Sequence, residues 1–214
     1  AGGPENLVVS VKNPTRESSN EMMASPIVRM LVATGGPGVV KALLSSGKKA
    51  IGAGAGNPPV IVDDTADIPK AAADIVAGAS FDNNLPCIAE KECFAFENIA
   101  DELIHYMMQN GAYLIKGEQI DQLVKIALTD GKYSLNKNWV GRDAGKFLKE
   151  LGIDSDARLI ICETEENHPF VFEELMMPIL PIVRVKNIDE AIEMAVKAEH
   201  GNRHSAHIHS KNVD

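Results

Sequence analysis

The sequence predicts an α/β fold in which a mainly parallel sheet is covered by helices on both faces. Apolar runs of strand length alternate with stretches of helical period along nearly the whole chain. The 45% hydrophobic content suffices for one large core, or for one domain and part of a second. Six Phe, three Tyr and one Trp are few for 214 residues, so the core must be mainly aliphatic.

The alternating elements can be placed along the chain. The clearest is the helix Asp67–Ala79, because its apolar residues recur on one face. The other helices are predicted at Thr15–Ala24, Pro37–Leu44, 98–109, 117–128, 141–150 and Ile188–Glu199. Strands are predicted at Leu7–Val11, Arg29–Ala33, Lys49–Ile51, Val60–Val62, 92–97, Leu159–Cys162, Ile179–Val185 and Ser205–His209. Parallel sheets hold ligands beyond the carboxyl ends of their strands, so we expect the functional segments there.

Charge and cysteine content exclude several classes of protein. The formal net charge is -9 without any block of like charge, which argues against nucleic acid or an anionic membrane as partner. Cys87, Cys93 and Cys162 are an odd number at irregular spacing, which fits a reducing cytoplasm rather than a disulfide framework. No membrane-spanning run or signal segment is predicted.

The histidines near the end of the chain predict no metal site. His207 and His209 share one face of the predicted strand, whereas His204 points to the other face. No cysteine or acid is spaced to complete a zinc site with them.

A Gly-rich turn, Thr34 to Gly38, follows a predicted strand and opens a predicted helix. Backbone N–H groups at such a turn can approach an anion, and a helix N-terminus favours negative charge. The turn does not match the dinucleotide-binding fingerprint G-x-G-x-x-G, and a tight turn without a ligand explains it equally well.

The segment Gly52 to Pro59 has three alternating glycines followed by two prolines. Such a sequence is unsuited to a regular helix and weakens a strand, but it lets a ligand or a neighbouring element pass close to the backbone. A plain linker between two domains is the other interpretation, and both can hold at a hinge.

Cys87 follows Phe81-Asp82-Asn83-Asn84 at the point where a long apolar helix ends. A thiolate in an exposed, electropositive position is a good nucleophile, and the preceding amide and acid side chains are candidate donors to an oxyanion. An inert, half-buried thiol is the alternative for Cys87. For Cys93 and Cys162, which lie in predicted strands, burial in the core is expected.

Two acids, Glu173 and Glu174, interrupt the apolar run that begins at Phe170 and ends at Pro178. A carboxylate there suits the hydroxyl groups of a ribose, which need a bidentate acceptor. A solvated helix end is the alternative interpretation.

Taken in order, five segments resemble the CoA-acylating aldehyde dehydrogenases, most of all the type found in bacterial ethanolamine- and propanediol-utilisation microcompartments. They are TGGPGVV, AIGAGAGNPPVIVDDTADI, GASFDNNLPCIAEKE, NWVGRDAGK and NHPFVFEELMMPILPIVRV. The resemblance covers essentially all 214 residues. The pairing of GAGAGNPP with FDNNLPC about thirty residues later is its most diagnostic part.

The resemblance implies a role for particular residues. It makes Cys87 the nucleophile, and it matches Glu174 to the acid that holds the nicotinamide ribose. That acid usually precedes Phe-Gly-Pro, whereas this chain has Met177 in place of the glycine. The residues matched to the segment under the cofactor pyrophosphate are Thr34, Gly35 and Gly36.

The implied activity is oxidation of a short-chain aldehyde to acyl-CoA with NAD and coenzyme A, through a thioester on Cys87. Hydrolytic relatives have a glutamate that activates water where this chain has Gly52, and glycine cannot be a general base. A hydrolytic aldehyde dehydrogenase and a non-catalytic nucleotide-binding or assembly fragment remain the alternatives.

The resemblance also implies how the protein is organised. Residues 1–46 are expected to be the end of an NAD-binding domain, and residues 47–214 an incomplete catalytic domain. The chain is expected to be truncated at both ends and inactive alone, and the full-length protein to be a homo-oligomer. The implied location is the cytoplasm or the lumen of a bacterial microcompartment, with shell proteins as partners.

Overall fold

A computed structural model describes residues 2–129 and 134–213 of the chain. The chain divides into two compact units, Ala1–Ala55 and Gly56–Asp214. The strand Lys49–Ala53 pairs in parallel with Met30–Thr34 and so lies in the first unit.

The first unit is a two-stranded parallel sheet with two helices. Its elements are α1 (Arg16–Ala24), β1 (Met30–Thr34), α2 (Pro37–Leu44) and β2 (Lys49–Ala53). Thr15 begins α1 as a capping residue, since its hydroxyl accepts a hydrogen bond from the Ser18 N–H at 3.1 Å while the Ser18 hydroxyl accepts one from the Thr15 N–H at 2.9 Å. The four elements confirm the predicted order of helix and strand from residue 15 onwards.

The predicted strand Leu7–Val11 is wrong. These residues form turns and irregular backbone, and the side chains of Leu7, Val8 and Val9 are exposed. A short strand is stable only when it is paired, and this segment has no strand partner among the described residues. Apolar composition alone therefore gave a misleading signal.

The second unit contains a six-stranded, fully parallel sheet in the order β10-β3-β4-β9-β8-β5. Its strands are β3 (Pro59–Val62), β4 (Glu92–Phe96), β5 (Ala112–Ile115), β8 (Leu159–Glu163), β9 (Ile179–Val185) and β10 (His207–His209), with a small antiparallel hairpin of β6 (Leu128–Thr129) and β7 (Ser134–Leu135). Its helices are α3 (Ile68–Ser80), α4 (Glu97–Gln109), α5 (Glu118–Ala127), α6 (Ala144–Glu150), α7 (Pro169–Phe172) and α8 (Ile188–Ala198).

The two faces of this sheet are buried by different helices. Along β3, Val60 and Val62 pack in one cluster with α3 and α4, whereas Ile61 packs in another with α8. Along β8, Ile161 joins the α3–α4 cluster and Ile160 packs with α5 and α6. The side chains of a strand alternate between faces, so the predicted cover of helices on both faces is confirmed.

Four elements of the second unit were not predicted: β5, α7 and the two short strands of the hairpin, β6 and β7. β5 has only four residues and lies between two helices, so it offered little of the period-two pattern. The helix α7 is a single turn of four residues that begins at a proline. Part of the polar stretch 130–140 lies outside the described residues. Among the described residues, no helix is long and apolar enough to cross a bilayer.

Candidate active site

The candidate residues of the second unit lie at the amino edge of its parallel sheet. Gly56 precedes β3, Cys87 precedes β4 and Glu174 precedes β9. The expectation that they follow the carboxyl ends of strands is wrong for this unit. The helix α3 carries the chain back across the sheet, so the α3–β4 connection that contains Cys87 returns to the amino edge.

A left-handed turn ends α3 and leads to the cysteine. Asp82, Asn83 and Asn84 have φ angles of 46°, 53° and 63°. Asp and Asn adopt this region several times more readily than other residues with a Cβ, because their short polar side chains bond locally. The acid-and-amide triplet in the sequence is therefore what reverses the chain before Cys87.

The amide groups of this turn are already engaged in hydrogen bonds. The Asn84 amide donates to the carbonyl oxygens of Ala79 at 2.8 Å and Glu90 at 3.0 Å. The Asn83 amide donates to the Gly141 carbonyl and to an Asp143 carboxylate oxygen, both at 3.0 Å. The expectation that these two side chains donate to an oxyanion is therefore wrong, because both N–H bonds of each amide hold the turn in place.

Lys91 is the residue near the cysteine that sequence reasoning missed. Its side chain is buried at 2% exposure. Its ammonium donates to the Asn84 carbonyl at 2.7 Å, the Asn84 side-chain oxygen at 2.6 Å and the Pro86 carbonyl at 3.1 Å. Burial lowers the pKa of Lys91 to about 8, against the effect of acidic neighbours. The available signal was a charged Glu-Lys-Glu triplet at the start of a buried parallel strand, where aliphatic residues are the norm.

The two glutamates that flank Lys91 are also buried. The carboxylate oxygens of Glu92 have no hydrogen-bond partner among the described residues, and burial raises its pKa well above the ordinary value. Burial also raises the pKa of Glu90. Burial of a carboxylate favours its protonated, neutral form, and the charge of Lys91 opposes that effect at both glutamates.

Cys87 is half-buried, whereas the other two cysteines are in the core. Cys93 and Cys162 are each 0% exposed, as expected for residues of β4 and β8. Burial raises the pKa of the Cys93 thiol, and it raises that of Cys162 to about 12. Of the three thiols, Cys87 alone is therefore open to a reagent from solvent.

Gly56 connects Cys87 with Glu174. Its N–H donates to a Glu174 carboxylate oxygen at 3.3 Å. A Cβ atom at this position would lie only 2.8 Å from the Cys87 carbonyl oxygen and 3.1 Å from the His204 ring. Only glycine permits these approaches, which explains at least one of the alternating glycines. The two residues matched to nucleophile and ribose acid therefore both approach the same backbone.

Glu174 lies in the irregular segment between α7 and β9, so it is not a solvated helix end. Burial raises its pKa, and the charge of Lys91 and the Gly56 N–H oppose that effect. Met176 has a φ of 53°, and its carbonyl accepts a hydrogen bond from the Gly141 N–H at 3.0 Å. Met177, which stands where relatives are expected to have glycine, is fully buried. The left-handed residue of this segment is thus Met176.

The Gly-rich turn of the first unit follows the carboxyl end of β1, as expected. Thr34 ends the strand, the Gly35 N–H donates to the Ala53 carbonyl at 3.0 Å, and Gly36 begins α2 as its capping residue. A Cβ atom at Gly36 or Gly38 would meet no atom within 4 Å. The backbone here is therefore open to an approaching group.

The C-terminal histidines contact the site and form no metal centre. His207 Nε2 is bonded to the Ile88 carbonyl at 2.9 Å, next to Cys87. His204 packs on Gly56, and its Nδ1 lies 3.0 Å from the Ser205 hydroxyl. Within residues 2–129 and 134–213, no three His, Cys, Asp or Glu side chains are grouped to hold a metal ion.

Comparisons with known proteins show the family of the chain. The profile of the aldehyde dehydrogenase family matches residues 1–139. The acetaldehyde dehydrogenase (acetylating) EutE of Salmonella typhimurium is 47% identical over 100% of this chain and 47% of the relative. The propanal dehydrogenase (CoA-propanoylating) of Citrobacter freundii is 47% identical over 99% of this chain and 46% of the relative. The chain spans about half the length of the curated relatives it matches.

Two solved structures have the same fold. One is the propionaldehyde dehydrogenase of the Clostridium phytofermentans fucose utilisation bacterial microcompartment, with a TM-score of 0.94, 57% identity and coverage of 100% of this chain and 49% of that one. The other is a Rhodopseudomonas palustris propionaldehyde dehydrogenase with bound CoA and an acylated cysteine, with a TM-score of 0.94, 57% identity and coverage of 99% and 49%. The predicted fold class and the predicted resemblance to CoA-acylating enzymes are confirmed.

Proposed function

Because the chain belongs to the aldehyde dehydrogenase family, we propose that it carries the thiol-bearing part of an enzyme that oxidises a short-chain aldehyde to acyl-CoA with NAD and coenzyme A. The observation that carries the proposal is the state of Cys87. It is the one half-exposed thiol of three, on a turn built by polar residues, beside the glycine that bonds Glu174. Similar proteins named acetylating or CoA-propanoylating support the acyl acceptor.

The reaction proceeds in two stages at Cys87. The thiolate adds to the aldehyde carbon, and the carbonyl oxygen becomes an oxyanion. Loss of hydride from that carbon re-forms the carbonyl as a thioester on Cys87. The thiolate of CoA then adds to the thioester carbon, and the Cys87 thiolate leaves. The sum is aldehyde, NAD and CoA giving acyl-CoA, NADH and one proton, so electrons and atoms balance.

Each unit, taken by itself, has a feature that suits one part of NAD. The open backbone at Gly36, before α2, suits an anionic pyrophosphate, and Thr34 and Gly35 complete that turn. One oxygen of Glu174 accepts from Gly56, which leaves the other to accept from a ribose hydroxyl. Bound NAD supplies the hydride acceptor. On this assignment the first unit belongs to the nucleotide-binding domain and the second to the catalytic domain.

The preference for CoA over water rests on Gly52. Hydrolytic relatives need a general base at the matching position, and glycine supplies none. A Cβ atom at Gly52 would lie 2.8 Å from a Val40 side-chain carbon, so α2 packs directly on this backbone. Any side chain at position 52 would therefore require Val40 to move.

The nucleophile is tested by substitution in the intact enzyme that contains this chain. Cys87→Ala should reduce NADH formation from propionaldehyde and CoA by at least about a thousandfold, because the covalent route is lost. Cys93→Ala is the matched control, since it removes a buried thiol of the next strand and should keep most activity. Substantial turnover by Cys87→Ala would reject the assignment.

The acyl acceptor is tested by omitting CoA. The proposal predicts that NADH formation stops after about one equivalent per site without CoA, because the thioester accumulates on Cys87. Continued turnover with release of carboxylic acid would instead indicate the hydrolytic alternative. A non-catalytic fragment would give neither outcome, and its Cys87 would react with iodoacetamide no faster than Cys93.

Location and assembly are further proposals. The related enzyme from a fucose utilisation microcompartment supports a microcompartment lumen, with shell proteins as partners and the cytoplasm as the alternative. Fractionation of cells that make the intact protein distinguishes the two locations. A homo-oligomer of the full-length enzyme is proposed on the same resemblance, and light scattering would test it.

A further inference from the structure

We infer that Lys91 is the positioning residue of the Cys87 turn: its ammonium fixes the carbonyl groups that precede the cysteine and turns a buried positive charge towards the thiol. The inference deepens the proposed function and rests on it for its catalytic meaning. It concerns a residue that lies four positions after the cysteine, at the start of the buried strand β4.

The hydrogen bonds of Lys91 hold the turn on both sides of Leu85. An ammonium has three N–H groups, and the three acceptors found are the two oxygens of Asn84 and the carbonyl of Pro86. Pro86 is the residue directly before the cysteine. Lys91 is therefore one of the groups that hold the backbone before Cys87, together with the Ala89 N–H, which also donates to the Pro86 carbonyl at 3.1 Å.

This clamp continues into the rest of the turn. Asn84 is itself held through its amide by the Ala79 and Glu90 carbonyls, and its φ is 63°. Replacing Lys91 by an apolar residue would leave three oxygens without this donor, two of which belong to the buried Asn84. If Lys91 only stabilised the turn, these hydrogen bonds would be its whole role.

The charges around Lys91 indicate a second effect. The ionisable groups that interact electrostatically with its ammonium are Glu174, Cys87, Glu92 and Glu90. Glu90 in turn faces His207 and Asp74, and Glu92 faces Glu199. Burial raises the pKa of Glu90, Glu92 and Glu174, and the charge of Lys91 opposes that effect at all three carboxyl groups. A buried cation stabilises negative charge on a neighbouring atom, and this attraction is stronger in a site of low dielectric than in water.

The test compares how fast iodoacetamide labels Cys87 in Lys91→Met and in the wild-type enzyme, measured by mass spectrometry of the peptide. At pH 7, where Lys91 is charged, the variant should react at least about threefold more slowly. At pH 10 Lys91 has lost its proton in the wild type, so the two rates should converge. Lys125→Met, at an exposed lysine of α5, is the matched control and should behave as wild type.

Two results would overturn the inference. Equal rates at pH 7 would show that Lys91 does not act on the thiol. A deficit that is the same at pH 7 and pH 10 would reduce Lys91 to a structural clamp without an electrostatic role. Circular dichroism at both pH values verifies that the variant is folded.

A second measurement needs no substitution. In the wild type, anionic iodoacetate and neutral iodoacetamide are compared as reagents for Cys87 between pH 6 and pH 10. Loss of the Lys91 charge near pH 8 should lower the iodoacetate-to-iodoacetamide rate ratio at least about twofold, whatever the thiolate fraction, because that fraction affects both reagents equally. A ratio that stays constant with pH would contradict the inference.

The inference and the proposed function fail in different ways. Labelling reports on the sulfur alone, whereas NADH formation with CoA reports on the whole reaction. If Cys87→Ala abolishes activity but Lys91→Met labels normally, the inference fails and the proposed function stands. If labelling depends on Lys91 while Cys87→Ala keeps turnover, the proposed function fails instead.

Discussion

Gly56 is the glycine on which the Cys87 backbone packs. Three groups approach its backbone: a Glu174 carboxylate oxygen, the Cys87 carbonyl and the His204 ring. Because a Cβ atom would meet backbone on one side and an imidazole on the other, relief requires movement of the cysteine turn itself. The absence of a side chain at Gly56 therefore determines how closely the Cys87 turn, Glu174 and His204 approach one another.

Gly56→Ala should therefore slow NADH formation by about tenfold or more and destabilise the protein by about 1–3 kcal/mol, as overpacking does. Gly54→Ala is the control, because a Cβ atom there meets nothing within 4 Å. We expect the control to stay within about 0.5 kcal/mol of wild type. A Gly56→Ala enzyme with normal kinetics and denaturation would contradict the close packing of the site.

Lys91 makes the folding stability depend on pH. Burial lowers its pKa from the ordinary 10.5 to about 8. Between these values the unfolded chain holds a proton that the folded chain has released, so the free energy of unfolding rises with pH. Below about pH 8 both states are protonated, and the cost of burying the charge is fully present. That cost is on the order of 3 kcal/mol, at about 1.4 kcal/mol for each pKa unit.

Lys91→Met should remove this slope. Urea denaturation measures the free energy of unfolding at pH 8 and at pH 10. The change between the two pH values should be less favourable in the variant than in the wild type, because all other titrating groups contribute equally to both proteins. Lys125→Met should keep the wild-type slope. Identical slopes in Lys91→Met and wild type would mean that the lysine is not buried as a charge.

At the scale of elements, Asn57 joins the ends of α7 and α8. Its amide donates to the carbonyls of Val171 at 2.9 Å and Ala198 at 3.0 Å. Carbonyl groups in the last turn of a helix lack an intrahelical partner, so a side chain from another segment has to satisfy them. Asn57 directly follows Gly56. Its two hydrogen bonds therefore also hold the segment that contacts Cys87.

Asn57→Ala should destabilise the protein by about 2–4 kcal/mol, because two buried carbonyl groups lose their donor. Asn136→Ala offers a comparison, since its amide donates to a single carbonyl, that of Ile126 at 3.0 Å, and a smaller loss is expected. Thermal denaturation measures both. A smaller loss of stability for Asn57→Ala than for Asn136→Ala would argue against a stabilising role of the two Asn57 hydrogen bonds.

At the scale of the whole molecule, the two units differ in how much core they contain. The second unit buries three apolar clusters around six strands. Among the described side chains of residues 2–55, Leu31 and Leu43 are the fully buried apolar ones. A segment of this size with so small a core cannot offset the loss of chain entropy on folding.

Residues 56–214, produced alone, should therefore unfold cooperatively, whereas residues 1–55 alone should not fold. Circular dichroism during a thermal scan distinguishes the two. The complete chain should bind NAD weakly or not at all, and a micromolar affinity in calorimetry would contradict this. A cooperative transition for residues 1–55 would show that their core is larger than the burial of side chains indicates.

The sequence by itself determined the alternation of strands and helices, the buried face of α3 and the choice of Cys87 as the candidate nucleophile. These follow from periodicity and from the polar turn before Cys87, both of which act over a few residues. Motif resemblance added Glu174 and the turn at Thr34 to Gly36.

Only the tertiary structure decided which edge of the sheet carries the site and which atoms Lys91 reaches. The bond between Gly56 and Glu174 spans 118 residues, and that between Asn57 and Ala198 spans 141. Local patterns do not encode such distances, because any strand order that buries the same faces satisfies them equally well. In the sequence, a lysine between two glutamates is typical of a solvated surface. Only the fold shows that Lys91 is buried, and burial is what changes its pKa.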